Sequence, residues 1–155
     1  MPSPPPPAGR IAGVDFGTRR IGIAVTDPDR TLASPLENYT RRTTEMDAQK
    51  FRRIAEQYDV RLFVVGLPVH LDGRESRKSE EARAFGRWLG EQTGVAVEFF
   101  DERFTSVEAE QFLLGAELTR KRRKARLDMV AAQIMLATYL ESTRRSGRPP
   151  EGLED

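Results

Sequence analysis

The chain has 155 residues, 38% of them hydrophobic, which suits one domain able to bury a core without covalent staples. With no cysteine and a single histidine, His70, it excludes disulfide frameworks, thiolate zinc sites, cysteine nucleophiles and clustered-histidine metal sites, so any metal would be held largely by oxygen. Lys and Arg total 25 against 24 Asp and Glu, so overall charge names no partner and only its distribution informs.

The opening "PSPPPPAG" is expected to be extended or disordered, because consecutive prolines lack the amide donors of helix and sheet. Residues 1–8 are therefore set apart from one domain over 9–145, and "SGRPPEGLED" reads as a flexible tail over 146–155. "RIAGVDFG" and "RRIGIAVTD" predict two strands around a tight turn at Gly17 to Arg19, with Ile21, Ile23 and Val25 on one face. A third strand is expected around "TLASPLENY", after the turn signal at Asp27 to Asp29. The period then changes. Phe51, Ile54, Ala55 and Tyr58 share a helical face behind Thr43 and Thr44. "RLFVVGLP" reads as a strand buried on both faces and ended by Gly66 and Pro68. A turn at Asp72-Gly73 precedes a helix carrying Ala82, Phe85, Trp88 and Leu89, and "VAVEFF" from Val95 is a further strand. This alternation implies parallel neighbours with right-handed crossovers after an antiparallel start: an α/β domain. A short helix is expected near Thr105 or Ser106. The last helix, from Ala125, is apolar on most sides and is expected to pack inside the domain.

No stretch approaches the roughly 20 apolar residues that cross a bilayer. The first ten residues lack the apolar run of a signal peptide. A cytoplasmic protein with no membrane partner is the expectation.

Three carboxylates interrupt apolar patterns. Asp15 interrupts the first strand, Glu102 follows "VAVEFF" beside Asp101, and Asp128 shares a helix face with Ala131, Ala132, Met135 and Tyr139. An acid after a strand commonly serves a turn, and singly none of the three would be informative. Groups at the carboxyl ends of strands line the functional crevice of α/β sheets, so the three are expected to meet at one rim. Convergent carboxylates need cations or protons, and two divalent ions, Mg²⁺ or Mn²⁺, about 3.5 to 4 Å apart would suit phosphodiester hydrolysis. The acid-free run Arg120, Lys121, Arg122, Arg123, Lys124 and Arg126 leads into Asp128. Such runs are commonly solvated loops; beside these acids it would track nucleic-acid phosphates, with Arg19, Arg20 and Arg103 adding contacts. His70 reads as a surface loop residue more readily than as a proton shuttle.

"DFGTRRIGIAV", "VVGLPVHLDG", "DERFTS" and "LDMVAAQIML", in this order, resemble the YqgF/RuvX family of RNase H-like nucleases over roughly residues 9–142. The resemblance implies an RNase H-like fold, a five-stranded mixed sheet with helices on both faces, and a cytoplasmic nuclease that processes the 5' end of pre-16S ribosomal RNA. It carries Asp15, Glu102 and Asp128 over as the catalytic and metal-binding acids. The family was earlier grouped with Holliday junction resolvases, so branched DNA is the alternative substrate; resolving a two-fold symmetric junction would require a homodimer, whereas RNA cleavage is open to a monomer. "DFGT" also resembles the first phosphate motif of actin-like ATPases and sugar kinases, but no second strand-turn motif of that kind follows. A non-catalytic nucleic-acid-binding or ribosome-associated protein would not be expected to keep three acids in apolar settings.

Overall fold

The computed structural model describes residues 9–68, 76–102 and 120–146, with side chains in the last segment from 130 to 143. The elements are β1 (Arg10–Asp15), β2 (Arg20–Thr26), β3 (Ala33–Thr40), α1 (Thr44–Gln57), β4 (Val60–Leu67), α2 (Arg77–Thr93), β5 (Ala96–Asp101) and α3 (Arg120–Ser146). The turn at Asp72-Gly73, His70, Arg103 and the helix expected near Thr105 lie outside the described residues.

The strands form one sheet in the order β3-β2-β1-β4-β5. The three strands of the opening meander pair antiparallel, and β4 and β5 add parallel to the other edge of β1. This is the mixed five-stranded sheet expected from the sequence, with β1 at its centre. Strand alternation sorts the side chains onto two faces. Ala12, Val14, Phe63, Val65, Leu67 and Phe99 pack with Phe51 and Ile54 of α1 and Phe85 and Leu89 of α2. Ile11, Ala24 and Val64 point the other way and pack with Ala132, Met135, Leu136, Tyr139 and Leu140 of α3. Helices therefore cover both faces. Phe51 and Phe63 are fully buried with edge-on rings 6.2 Å apart, so truncating either to alanine is expected to cost about 3 to 5 kcal/mol.

The helix starts follow from local chemistry. Thr43 accepts a hydrogen bond from the Met46 amide at 3.1 Å, and Ser76 with Ser79 forms a reciprocal capping box, which satisfies amides that a helix leaves orphaned. Asp47 is buried early in α1, where it accepts from the Tyr39 hydroxyl at 2.7 Å and the Arg42 amide at 2.8 Å and pairs with Arg41 at 3.4 Å. The end of β3 is thereby tied to α1.

Three expectations are corrected. Gly66 does not end its strand; it lies within β4, which runs to Leu67. The last helix begins at Arg120, ahead of Ala125, so the basic run is helical backbone and not a loop. Nor is that helix engulfed: Ala137 and Glu141 are exposed while Ala132, Met135, Leu136 and Tyr139 are buried, so α3 is a one-sided cover on the sheet. Counting alanine and threonine as apolar overstated how much of its circumference needs burial.

Candidate active site

Parity and register place the acids. Phe16 follows Asp15 and turns into the α1 and α2 side of the core, its ring 4.7 Å from that of Phe85. Alternation then puts Asp15 on the α3 face, at the carboxyl end of the central strand. On β5, Phe100 packs toward the α3 side, and Glu102, just past the end of the strand, lies on the same face, over the side-chain position of Gly66. Asp101 falls on the opposite one.

Between β1 and β5 lies β4. Val14 pairs with Val65 and Gly66 with Phe100, so Asp15, Gly66 and the end of β5 stand in one row along the rim. Strands two places apart are separated by about 10 Å, which a glutamate crosses only by lying over the strand between. Glu102 does this. Its side chain passes so close to Gly66 that an added Cβ would stand 2.6 Å from Glu102 Cγ and 2.5 Å from Cδ, and it is hydrogen-bonded to Asp15.

This pair is electrostatically loaded. Burial pushes the Glu102 carboxyl well above the usual carboxylate range, and the charge and hydrogen bond of Asp15, then the charge of Asp101, push it further. Without a cation the two carboxyls share a proton. Their donor set is carboxylate oxygen alone, which suits a hard divalent ion that would replace that proton. Among the described residues no group of three metal-ligating side chains gathers.

The side chain of Asp128 lies outside the described residues, as do those of Arg120, Lys121, Arg122, Arg123, Lys124 and Arg126. Their backbone is described: Asp128 sits in α3, one turn before Ala132. The Ala132 carbonyl oxygen is 3.3 Å from where a Cβ on Gly13 would stand, and Asp15 is two residues beyond Gly13 on β1. Arg19 is exposed in the β1–β2 turn, and Arg20, half-buried, opens β2 opposite Thr40. Sequence reasoning passed over Arg41. Its amide donates to the Arg19 carbonyl at 2.8 Å and its guanidinium lies 5.2 Å from the centre of the Phe16 ring, which fixes a cation beside the turn that follows Asp15. Its place just after a strand that pairs with β2 was the available signal.

A family model described as "RuvX: Holliday junction resolvase" matches residues 9–142. The chain belongs to the RuvX family. A relative from Rhodopirellula baltica, named "Putative pre-16S rRNA nuclease", is 50% identical over 142 residues, covering 92% of this chain and 82% of that protein. One of the same name from Koribacter versatilis is 41% identical over 141 residues, covering 91% and 92%. RuvX membership makes this chain a nuclease, a hydrolase of phosphodiester bonds. Its fold is also that of Thermus thermophilus RuvC in complex with a Holliday junction substrate (TM-score 0.58, 15% identity, 92% of this chain and 99% of that one). The Fowlpox virus resolvase bound to junction DNA is similar too (TM-score 0.51, 13% identity, 86% and 97%). Among the described residues no helix is long and apolar enough to cross a membrane.

Proposed function

We propose that this RuvX nuclease hydrolyses a phosphodiester in the 5' leader of pre-16S ribosomal RNA, in the cytoplasm, at a divalent-metal site formed by Asp15, Glu102 and Asp128. The observation that carries the reading is the contact of Glu102 with Asp15 across Gly66, which puts two mutually repelling, half-buried carboxyls at the carboxyl end of the central strand. Asp15 and Glu102 would hold Mg²⁺ or Mn²⁺, with Asp128 supplying further oxygen; two such ions would activate a water and stabilise the leaving oxygen. The chain's own part would be to hold these oxygens at the ends of two strands and on one helix. Arg41, with Arg19, Arg20 and Arg103, would neutralise phosphates flanking the scissile bond, and the cations from Arg120 to Arg126 would bring the backbone to the site. Residues 9–145 would act as one domain.

The relatives' names favour ribosomal RNA; the family description and the likeness to RuvC favour a second reading, resolution of branched DNA. The deciding experiment is cleavage of a pre-16S leader fragment, an unrelated single-stranded RNA and a four-way junction, side by side, with added Mn²⁺ and with Asp15→Asn as control. Preferential cleavage of the leader supports the proposal; symmetric cutting of the junction by a dimer replaces it with the second reading. Asp15→Asn is expected to lower the rate by about a thousandfold or more, and a variant that cleaves like the unaltered protein refutes the carboxylate site.

A further inference from the structure

We infer that Gly66 is a positioning residue of this site: by leaving β4 without a side chain at the rim, it opens the lane along which Glu102, just past β5, reaches Asp15 of β1. The inference rests on the nuclease reading for its consequence in catalysis, but not for its geometry. Three strands contribute to the row, and the middle one has to be bare. An added Cβ at Gly66 would overlap Glu102 Oε1 and stand within 2.6 Å of both Cδ and Cγ. Ordinary contact begins near 3.4 Å, so the carboxyl would have to move by on the order of 1 Å, a displacement that costs about a hundredfold when it falls on a catalytic group. Gly66 lies in strand conformation, with φ outside the left-handed region, so the backbone itself gives no reason for glycine here. Glycine inside a strand weakens it and often marks a close approach. The neighbours make the same point: Leu62 and Val64, the preceding residues of β4 on this face, carry side chains that pack toward α3, and the series stops at the position over which Glu102 lies.

The test separates geometry from activity by a double-mutant cycle on the metal-free protein. Gly66→Ala alone is expected to lower Tm by about 4 °C or more, because the methyl group and the half-buried Glu102 side chain compete for one space. In a Glu102→Ala background the same substitution is expected to leave Tm unchanged or raise it, since alanine is the better strand residue once the lane is empty. A similar loss of Tm in both backgrounds, or none in either, overturns the inference. The second measurement is turnover with Mn²⁺ on the preferred substrate. Gly66→Ala is expected to lower kcat about a hundredfold with KM within about threefold. Wild-type kcat in Gly66→Ala also overturns it. If the unaltered protein cleaves none of the substrates, the nuclease reading falls, while the thermal cycle still decides the role of Gly66.

Discussion

Adjacent acids on one strand end have opposite fates in this structure. Glu102 shares the α3 face with Asp15, while Asp101 faces the α1 and α2 side and reaches the pair only through its charge. Glu102→Gln is therefore expected to lower cleavage by at least about a hundredfold and Asp101→Asn by no more than about tenfold; the reverse order in steady-state assays would move the site to Asp101. Titration should distinguish Glu102 from Asp27 as well. Asp27 accepts from the Thr31 and Leu32 amides and the Thr31 hydroxyl, which lowers its pKa from 3.8 to about 2; its contribution is present above pH 3.8 and is lost as pH falls toward 2. Glu102 is raised, so the metal-free folded state holds a proton that the unfolded chain releases near pH 4.5, and stability declines as pH rises from there through its folded value. Chemical denaturation across pH is expected to show both limbs, with Asp27→Asn flattening the acid one and Glu102→Gln the other.

Among the elements, α3 joins two roles that conflict in the free protein. Its first two turns carry six cations and no acid, at the end where the helix macrodipole is already positive. A polyanion laid there would relieve the conflict. Replacing Arg122, Arg123 and Lys124 by alanine is expected to weaken binding of all nucleic acids about equally and to reduce the slope of log K against log salt by up to about 0.7 to 0.9 for each phosphate no longer neutralised. Stability of the free protein should hold or rise, because alanine is the better helix former. Unchanged salt dependence would remove the run from the interface. The early start of this helix was hidden in the sequence for a physical reason: arginine and lysine favour helix as well as most residues do, so charge alone marks no boundary. Helix α1 was easier to read, since Thr43 and the spacing of Phe51, Ile54 and Tyr58 give both its start and its face.

At the scale of the molecule, periodicity carried the architecture and marked Asp15 and Glu102, but not what lies between them. Alternation in "RIGIAV" and the apolar run of "RLFVVGL" were enough for an antiparallel start and parallel continuation. That Gly66 lies between two acids depends on β4 pairing with both β1 and β5 in one register, a match between segments far apart in sequence. Arg41 escaped notice because its value comes from Phe16, some 25 positions earlier in the chain. The oxygen-only donor set predicts metal selectivity for the whole enzyme. After exhaustive chelation, cleavage is expected to return with Mg²⁺ or Mn²⁺, to be inhibited by Ca²⁺, whose looser coordination misplaces reactants, and to be indifferent to zinc and ATP. Activity that survives chelation would refute this.

The central position of β1 has a consequence for biogenesis. Asp15 ends β1, the first of the described strands in chain order, and its partner Glu102 follows about 90 residues later, just past β5, the last of them. The β1–β2–β3 meander is local and closes early, whereas the β1–β4 and β4–β5 pairings wait for distant sequence. A chain truncated before β4 therefore carries Asp15 without its partner Glu102. On the proposed assignment of the site, the pair of acids is complete only once β5 has joined the sheet, so a half-made chain would lack it.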